Sequence, residues 1–224
     1  MHLAAMFSGG KDSTYAAYLA EQNGYDISML FSMYPNRSDS WMFHSVNIHL
    51  TRLLAQALEK PLLEVPTLGE KERELDDLQL ALKQIPVEGI VTGAIASNYQ
   101  RERFDKICKA LDIQHIKPLW GIDQKKILKA EIESGMDIIF SSVAAEGLNK
   151  SWLGRHFDME IIEELQNLNR TYGVNISGEG GEYESLVLDA PWLKKRIVID
   201  ECESSWNGFS GEFRVKRAHL AHKS

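Results

Sequence analysis

The chain has 224 residues, 44% hydrophobic and 25% charged, which suits one large globular domain or a medium domain with a smaller appendage. No stretch approaches the roughly 18 apolar residues of a membrane span, and Met1 to Lys11 lacks the basic and apolar regions of a secretion signal, so a cytoplasmic protein with no membrane partner is expected. The formal net charge of −7 runs against the basic stripe that holds nucleic-acid phosphates, so nucleic acid is disfavoured as a partner.

The first element is the apolar run Leu3–Phe7, a buried strand that ends in Ser8-Gly9-Gly10. A helix follows from about Ser13 to Asn23, then a short apolar run at Ile27–Met33. Val46, Leu50, Leu53, Leu54 and Ala57 keep helical spacing, which predicts a helix over His44–Leu58. Next come Leu62–Val65, a charged helix near Glu70–Leu82 and the run Gly89-Ile90-Val91. Phe104, Ile107, Cys108 and Leu111 mark another helix face, followed by Ile113–Ile116 and a helix near Gln124–Glu133. Short apolar strands separated by amphipathic helices predict a parallel, Rossmann-like sheet covered on both faces, with the alternation holding to about residue 142. Phe157, Ile161, Ile162, Leu165 and Leu168 make one more amphipathic helix. Beyond it, Ser185–Leu188, Arg196–Ile199 and Gly211–Val215 read as strands without intervening helices. The expected division is an α/β domain over 1–134 and a smaller α+β portion over 135–224. Cys108 and Cys202 belong to no CxxC pair, and Cys108 lies in an apolar helical pattern, so a buried thiol is the reading there.

Ser8-Gly9-Gly10-Lys11-Asp12-Ser13 is the most informative stretch. Two glycines let the backbone turn sharply and approach a ligand, and the helix that follows offers free N–H groups and a positive dipole end. Ser8 and Ser13 add hydroxyls and Lys11 a compact charge. Asp12 cannot hold phosphate and suits a magnesium contact. The plain alternative is a strand-to-helix turn with Ser13 as N-cap, which explains neither the lysine nor the paired serines. The spacing is neither a Walker loop nor GxGxxG.

The second segment, Thr92-Gly93-Ala94-Ile95 with Tyr99-Gln100-Arg101-Glu102-Arg103, leaves the sheet at its carboxyl edge, where open α/β sheets bind ligands. Gly93 and Ile95 are expected at the nucleotide, and Tyr99, Gln100, Arg101 and Arg103 on the substrate side. Arg101 with Asp105, and Glu102 with Lys106, would equally serve as helix-surface ion pairs. The third segment, Ser177-Gly178-Glu179-Gly180-Gly181-Glu182-Tyr183-Glu184, sets carboxylates among glycines that allow an irregular backbone near a ligand. Its carboxylates could hold magnesium, accept protons from an amine or recognise a cation. A solvated acidic loop is the alternative.

The hexapeptide is similar to the PP-loop of the N-type ATP pyrophosphatases. With Thr-Gly-Ala-Ile, Tyr-Gln-Arg-x-Arg, Pro118-Leu119-Trp120 and Gly178 to Ser185 followed by Leu186-Val187-Leu188-Asp189-Ala190-Pro191, the chain resembles the diphthine–ammonia ligase family over almost its whole length. Its length is similar to that of the short archaeal form. The family usually has threonine where this chain has Ser185. The resemblance implies ATP-dependent amidation of diphthine on elongation factor 2 with ammonia, releasing AMP and pyrophosphate. It implies ATP held by Ser8, Gly9, Gly10, Lys11, Asp12 and Ser13 with magnesium alongside. Catalytic roles fall to Lys11, Asp12 and Glu182. Glu179, Gly180, Gly181, Glu182, Tyr183 and Glu184 would handle ammonium or the trimethylammonium group, with Tyr183 as a cation–π face. The rivals are a tRNA-modifying PP-loop enzyme, disfavoured by the acidic balance and the unpaired cysteines, and a non-catalytic nucleotide module. Whether the chain forms a homo-oligomer is left open.

Overall fold

The computed structural model describes residues 1–35, 46–67 and 73–223. Its first half runs β1 (His2–Met6), α1 (Lys11–Gln22), β2 (Asp26–Pro35), α2 (Thr51–Leu58, after a single 3-10 turn at Ile48–Leu50), β3 (Leu62–Thr67) and α3 (Arg73–Leu82). It continues with β4 (Gly89–Val91), α4 (Asn98–Leu111), β5 (Gln114–Ile116) and α5 (Gln124–Glu133). The strands form one parallel sheet in the order β3-β2-β1-β4-β5. His44 and Glu70, where two helices were expected to begin, lie outside the described residues.

Alternation along β1 sets the two layers. Leu3 and Ala5 face one cluster with Ala16, Ala20 and Leu54 of α1 and α2. Ala4 and Met6 face the other, with Leu78 of α3 and Phe104 and Ile107 of α4. A sheet buried on both faces requires strands that are apolar on both, as β1 and β4 are.

The second half holds β6 (Asp137–Val143), α6 (Met159–Tyr172), β7 (Tyr183–Asp189), β8 (Lys195–Trp206) and β9 (Gly211–His222). These strands form a separate sheet, β7-β6-β9-β8, with antiparallel pairing throughout. The alternation expected to reach residue 142 therefore ends at β5: β6 is apolar enough for the parallel sheet but pairs elsewhere. The last two strands are much longer than the expected Arg196–Ile199 and Gly211–Val215. Their outer parts alternate charged residues in a two-stranded ribbon, and such a pattern carries no apolar signal.

The second sheet closes over the α1–α2 side of the first. Val187 N donates to Gly9 O at 3.0 Å, and Lys194 N to Ala57 O at 2.8 Å. Asn47 is buried and bonds β9 with both ends of its amide, Nδ2 to Phe213 O at 2.8 Å and Oδ1 from Val215 N at 2.9 Å. Tyr18 stacks on Trp192 with ring centroids 3.9 Å apart. Among the described residues no helix is long and apolar enough to cross a membrane.

Candidate active site

Strand order reverses around β1, so the loops after β1 and β4 diverge and leave a crevice between them. A cleft of about 800 Å³ opens there, and its far wall is the Gly178–Glu184 loop and the start of β9. Ser8, Asp12, Thr92, Gly93, Glu179 and Glu184 are among its lining residues.

The glycine loop is shaped from several sides. Gly9 sits at φ +78, a left-handed conformation that strains any other residue, and a Cβ there would lie 3.0 Å from Leu54 Cδ1. Ser8 Oγ and Ser13 Oγ are 3.2 Å apart, so the two hydroxyls form one cluster at the head of α1. Lys11 N donates to Ser185 Oγ at 3.1 Å, so the second sheet caps the first turn of the helix. Helix α1 thus starts at Lys11, two residues before the expected Ser13, and Gly10 serves as its N-cap. Its N-terminus faces the cleft, a seat for an anion.

Lys11 does not reach the cleft. Its side chain is 1% exposed, with Nζ 2.6 Å from Asp12 Oδ1 and 3.7 Å from Glu131 Oε2 of α5, and 5.9 Å from the Tyr183 ring centroid. Helical geometry is the reason: as the first helical residue it projects back under the loop, where two carboxyls receive it. Burial works against its charge, but Asp12 and Glu131 outweigh that and raise its pKa well above the usual lysine range. Glu131 is 0% exposed, and burial pushes its carboxyl well up, with Lys11 opposing and Asp12 reinforcing the shift. Burial thus favours the neutral form of Glu131, while the Lys11 ammonium lies closest to Asp12 Oδ1. Sequence reasoning missed Glu131. The available signal was a carboxylate at the i+4 position from Ile127, on the buried stripe of α5.

Asp12 is 29% exposed and joins the Lys11 ammonium to the cleft. Among the described residues no three His, Cys, Asp or Glu side chains converge to cage a metal. Magnesium is commonly held by one or two carboxylates together with substrate phosphates, and a lone Asp12 fits that pattern.

Gly93 packs on the glycine loop itself. A Cβ would lie 2.7 Å from Asp12 C and 2.8 Å from Ser13 N, so only a glycine allows this close approach of two backbones. Ile95 is buried, and its N–H is already taken: it donates to Glu179 Oε1 at 2.8 Å. Ala96 N donates to Glu179 Oε2, also at 2.8 Å. Glu179 is thus a clasp between the second half of the chain and the loop after β4, and Ile95 shapes that loop without offering a free amide to nucleotide.

The other acidic-loop residues divide. Gly180, Gly181 and Glu184 line the cleft, and Glu184 Oε2 also accepts from Val46 N at 3.2 Å. Glu182 is not in its lining: Oε1 accepts from Asn175 N at 3.2 Å, beneath Gly180. Tyr183 touches the cleft but is 3% exposed, donates its hydroxyl to Ile176 O at 2.6 Å and packs edge-on against Phe140. A Cβ on Gly178 would lie 2.8 Å from that ring, so no open aromatic face awaits a quaternary ammonium. A tyrosine with long-range packing partners was bound to be drawn inward.

Of the α4 residues, Gln100 lines the cleft and the arginines do not. Arg101 lies over Trp120, 4.7 Å from its centroid, and pairs with Asp105, as the surface-pair alternative had it, and also with Glu102. Arg103 covers the ring of Tyr99 and donates to the Tyr99 carbonyl at 3.3 Å. All three residues are engaged on their own helix or at its flank.

Residues 1–115 match the family model described as diphthamide synthase N-terminal domain, and residues 123–221 the one described as diphthamide synthase C-terminal domain. A curated protein of Mus musculus named diphthine–ammonia ligase is 34% identical, covering 100% of this chain and 94% of that protein. Those of Bos taurus and Homo sapiens, with the same name, are 36% and 35% identical over 91% of this chain and 84% of theirs. A solved structure titled as a "predicted subunit of tRNA methyltransferase" from Methanocaldococcus jannaschii is 16% identical, with a TM-score of 0.48 over 85% of this chain and 98% of that one.

Proposed function

This chain belongs to the diphthamide synthase family, and we propose that it is an ATP-dependent ligase that amidates diphthine on elongation factor 2 with ammonia. The carboxylate of diphthine attacks the α-phosphorus of ATP, pyrophosphate leaves, and ammonia displaces AMP from the acyl adenylate. The observation that supports this most is the placement of the glycine loop at the strand-order reversal, across the cleft from an acidic loop of the second sheet.

The Gly9–Gly10 backbone, Ser8, Ser13 and the head of α1 stabilise charge on the phosphates. Magnesium bound at Asp12 would neutralise phosphate charge. Lys11 works at one remove, as a positioning residue that holds the Asp12 carboxylate toward the cleft. Glu179 keeps the loop after β4 closed against the acidic loop. Glu184 presents a carboxylate to the cationic side of the substrate. We take 1–134 as the nucleotide-binding part and 135–224 as the part that meets the protein substrate, and place the enzyme in the cytoplasm, where translation factors act.

The test is to incubate the protein with ATP, ammonium and diphthine-bearing elongation factor 2, and to follow the factor by mass spectrometry and the nucleotide by chromatography. AMP and pyrophosphate in equal amounts, matched to amide formed, are expected. ADP as the sole nucleotide product would remove this assignment.

A further inference from the structure

A polar chain runs beneath the floor of the cleft, from β4 through β5 to α4. Thr92 Oγ1 lies 2.8 Å from His115 Nε2, and His115 Nδ1 lies 2.7 Å from Asp105 Oδ1. Lys117 Nζ donates to the same Asp105 oxygen at 2.7 Å. The His115 side chain is 4% exposed, and its ring packs against Phe104, which with Thr92 lines the cleft.

The hydrogens in this chain can be placed by elimination. Burial opposes the Asp105 charge, but its bonds to Lys117 and His115 prevail and hold the carboxyl below the usual range, so Asp105 is ionised and accepts only. A 2.7 Å contact with an acceptor-only carboxylate places a hydrogen on His115 Nδ1. Burial, helped by the Lys117 charge and opposed by the bond to Asp105, lowers the pKa of His115 and keeps the imidazole neutral, so Nε2 carries no hydrogen and accepts. The Thr92 hydroxyl must therefore donate to Nε2. Its hydrogen is committed, and only lone pairs of Oγ1 remain for a ligand.

We propose that Thr92 Oγ1 is an acceptor site for the attacking nitrogen, binding ammonium or ammonia through an N–H at the phosphate end of the cleft. His115 is the positioning residue that fixes the hydroxyl, and Asp105 with Lys117 fixes the tautomer. The place of Thr92 argues for the nucleophile over the amino group of adenine. The next residue, Gly93, abuts the Asp12–Ser13 backbone, so Thr92 lies beside the glycine loop, next to where the acyl adenylate would form. Once ammonium has lost a proton to solvent, an acceptor there would orient the lone pair of the resulting ammonia toward the acyl carbon. AMP leaves as the C–N bond forms, and the nitrogen gives its surplus proton to solvent. A hydroxyl free to donate would compete for that lone pair. The inference rests on the amidation reading.

The experiment compares wild type with Thr92→Val, Thr92→Ser and His115→Leu in two assays on diphthine-bearing elongation factor 2. One is amide formation as ammonium and ATP are varied separately, and the other is factor-dependent exchange of pyrophosphate into ATP. Loss of a hydrogen bond to a charged or strongly polar group commonly costs about ten-fold or more in affinity. Thr92→Val is expected to raise KM for ammonium by about that factor, well beyond any change in KM for ATP or in exchange. Thr92→Ser is expected to restore it, and His115→Leu to give an intermediate rise. Thermal melts identify a variant that fails to fold, in which case Thr92→Ala replaces it. An unchanged KM for ammonium in Thr92→Val, a rise confined to KM for ATP, or parallel loss of exchange and amide would each overturn the proposal while leaving the amidation reading intact. Wild type that forms no amide would overturn both.

Discussion

The ammonium of Lys11 lies 2.6 Å from the carboxylate of Asp12, and of the two only Asp12 faces the cleft. A lysine that reads as a phosphate ligand is an internal counter-ion, and its neighbour is the residue it serves. Removing it would leave Asp12 without its cation and open a cavity beside the buried Glu131. Breaking one side of a buried pair costs about 3–5 kcal/mol, so Lys11→Ala is expected to lose stability as well as activity. Urea unfolding measures this; a midpoint equal to that of wild type would show that the ammonium is not needed by the fold.

The Glu179 carboxylate bridges the amides of Ile95 and Ala96 across 84 and 83 residues of chain. Hydrogen bonds to a charged group contribute about 1.5–3 kcal/mol, and these shape the loop after β4, which we propose borders the nucleotide. Glu179→Ala should weaken ATP binding about ten-fold by calorimetry, with Glu179→Gln falling between it and wild type. ATP affinity that ignores both changes would reduce the clasp to a surface contact.

Glu182 tests the acidic loop from the other direction. It was expected to act on substrate, yet its carboxylate accepts from Asn175 N and stays out of the cleft. Glutamine keeps an acceptor for that N–H, so Glu182→Gln should retain amidation within about two-fold, the scale of a neutral hydrogen-bond change of a few tenths of a kcal/mol. A severe loss of turnover with unchanged melting would return Glu182 to the catalytic group.

The two cysteines should differ in reactivity. Cys202 is exposed, whereas burial pushes the Cys108 thiol from 9.0 up to about 12. At pH 8 a thiol reagent should label one cysteine quickly and the second only on unfolding. A raised thiol pKa favours the fold while the thiol stays protonated. Its contribution is full below the unfolded value and is lost as pH climbs from 9.0 toward about 12. Cys108→Ala should therefore flatten the alkaline decline in stability relative to wild type, and equal slopes would contradict it.

Much of this protein was legible in one dimension. Strand-helix alternation to Glu133, the strand before Ser8 and the glycine loop opening a helix follow from periodicity and glycine chemistry, which act over a few residues. Such signals also located the cleft, because a loop after the first strand of a doubly wound sheet can only emerge at its carboxyl edge. Local pattern could not say which sheet β6 would join, since an apolar strand suits either. Nor could it say which polar side chains point at the cleft. Lys11 turns inward because Glu131 waits 120 residues away. Ile95 loses its free amide because Glu179 reaches across the cleft. The Thr92 hydroxyl is engaged because His115 Nε2 stands 2.8 Å away on the next strand. A buried polar group takes the partner that desolvation forces on it, and only the packed chain brings that partner within 3 Å.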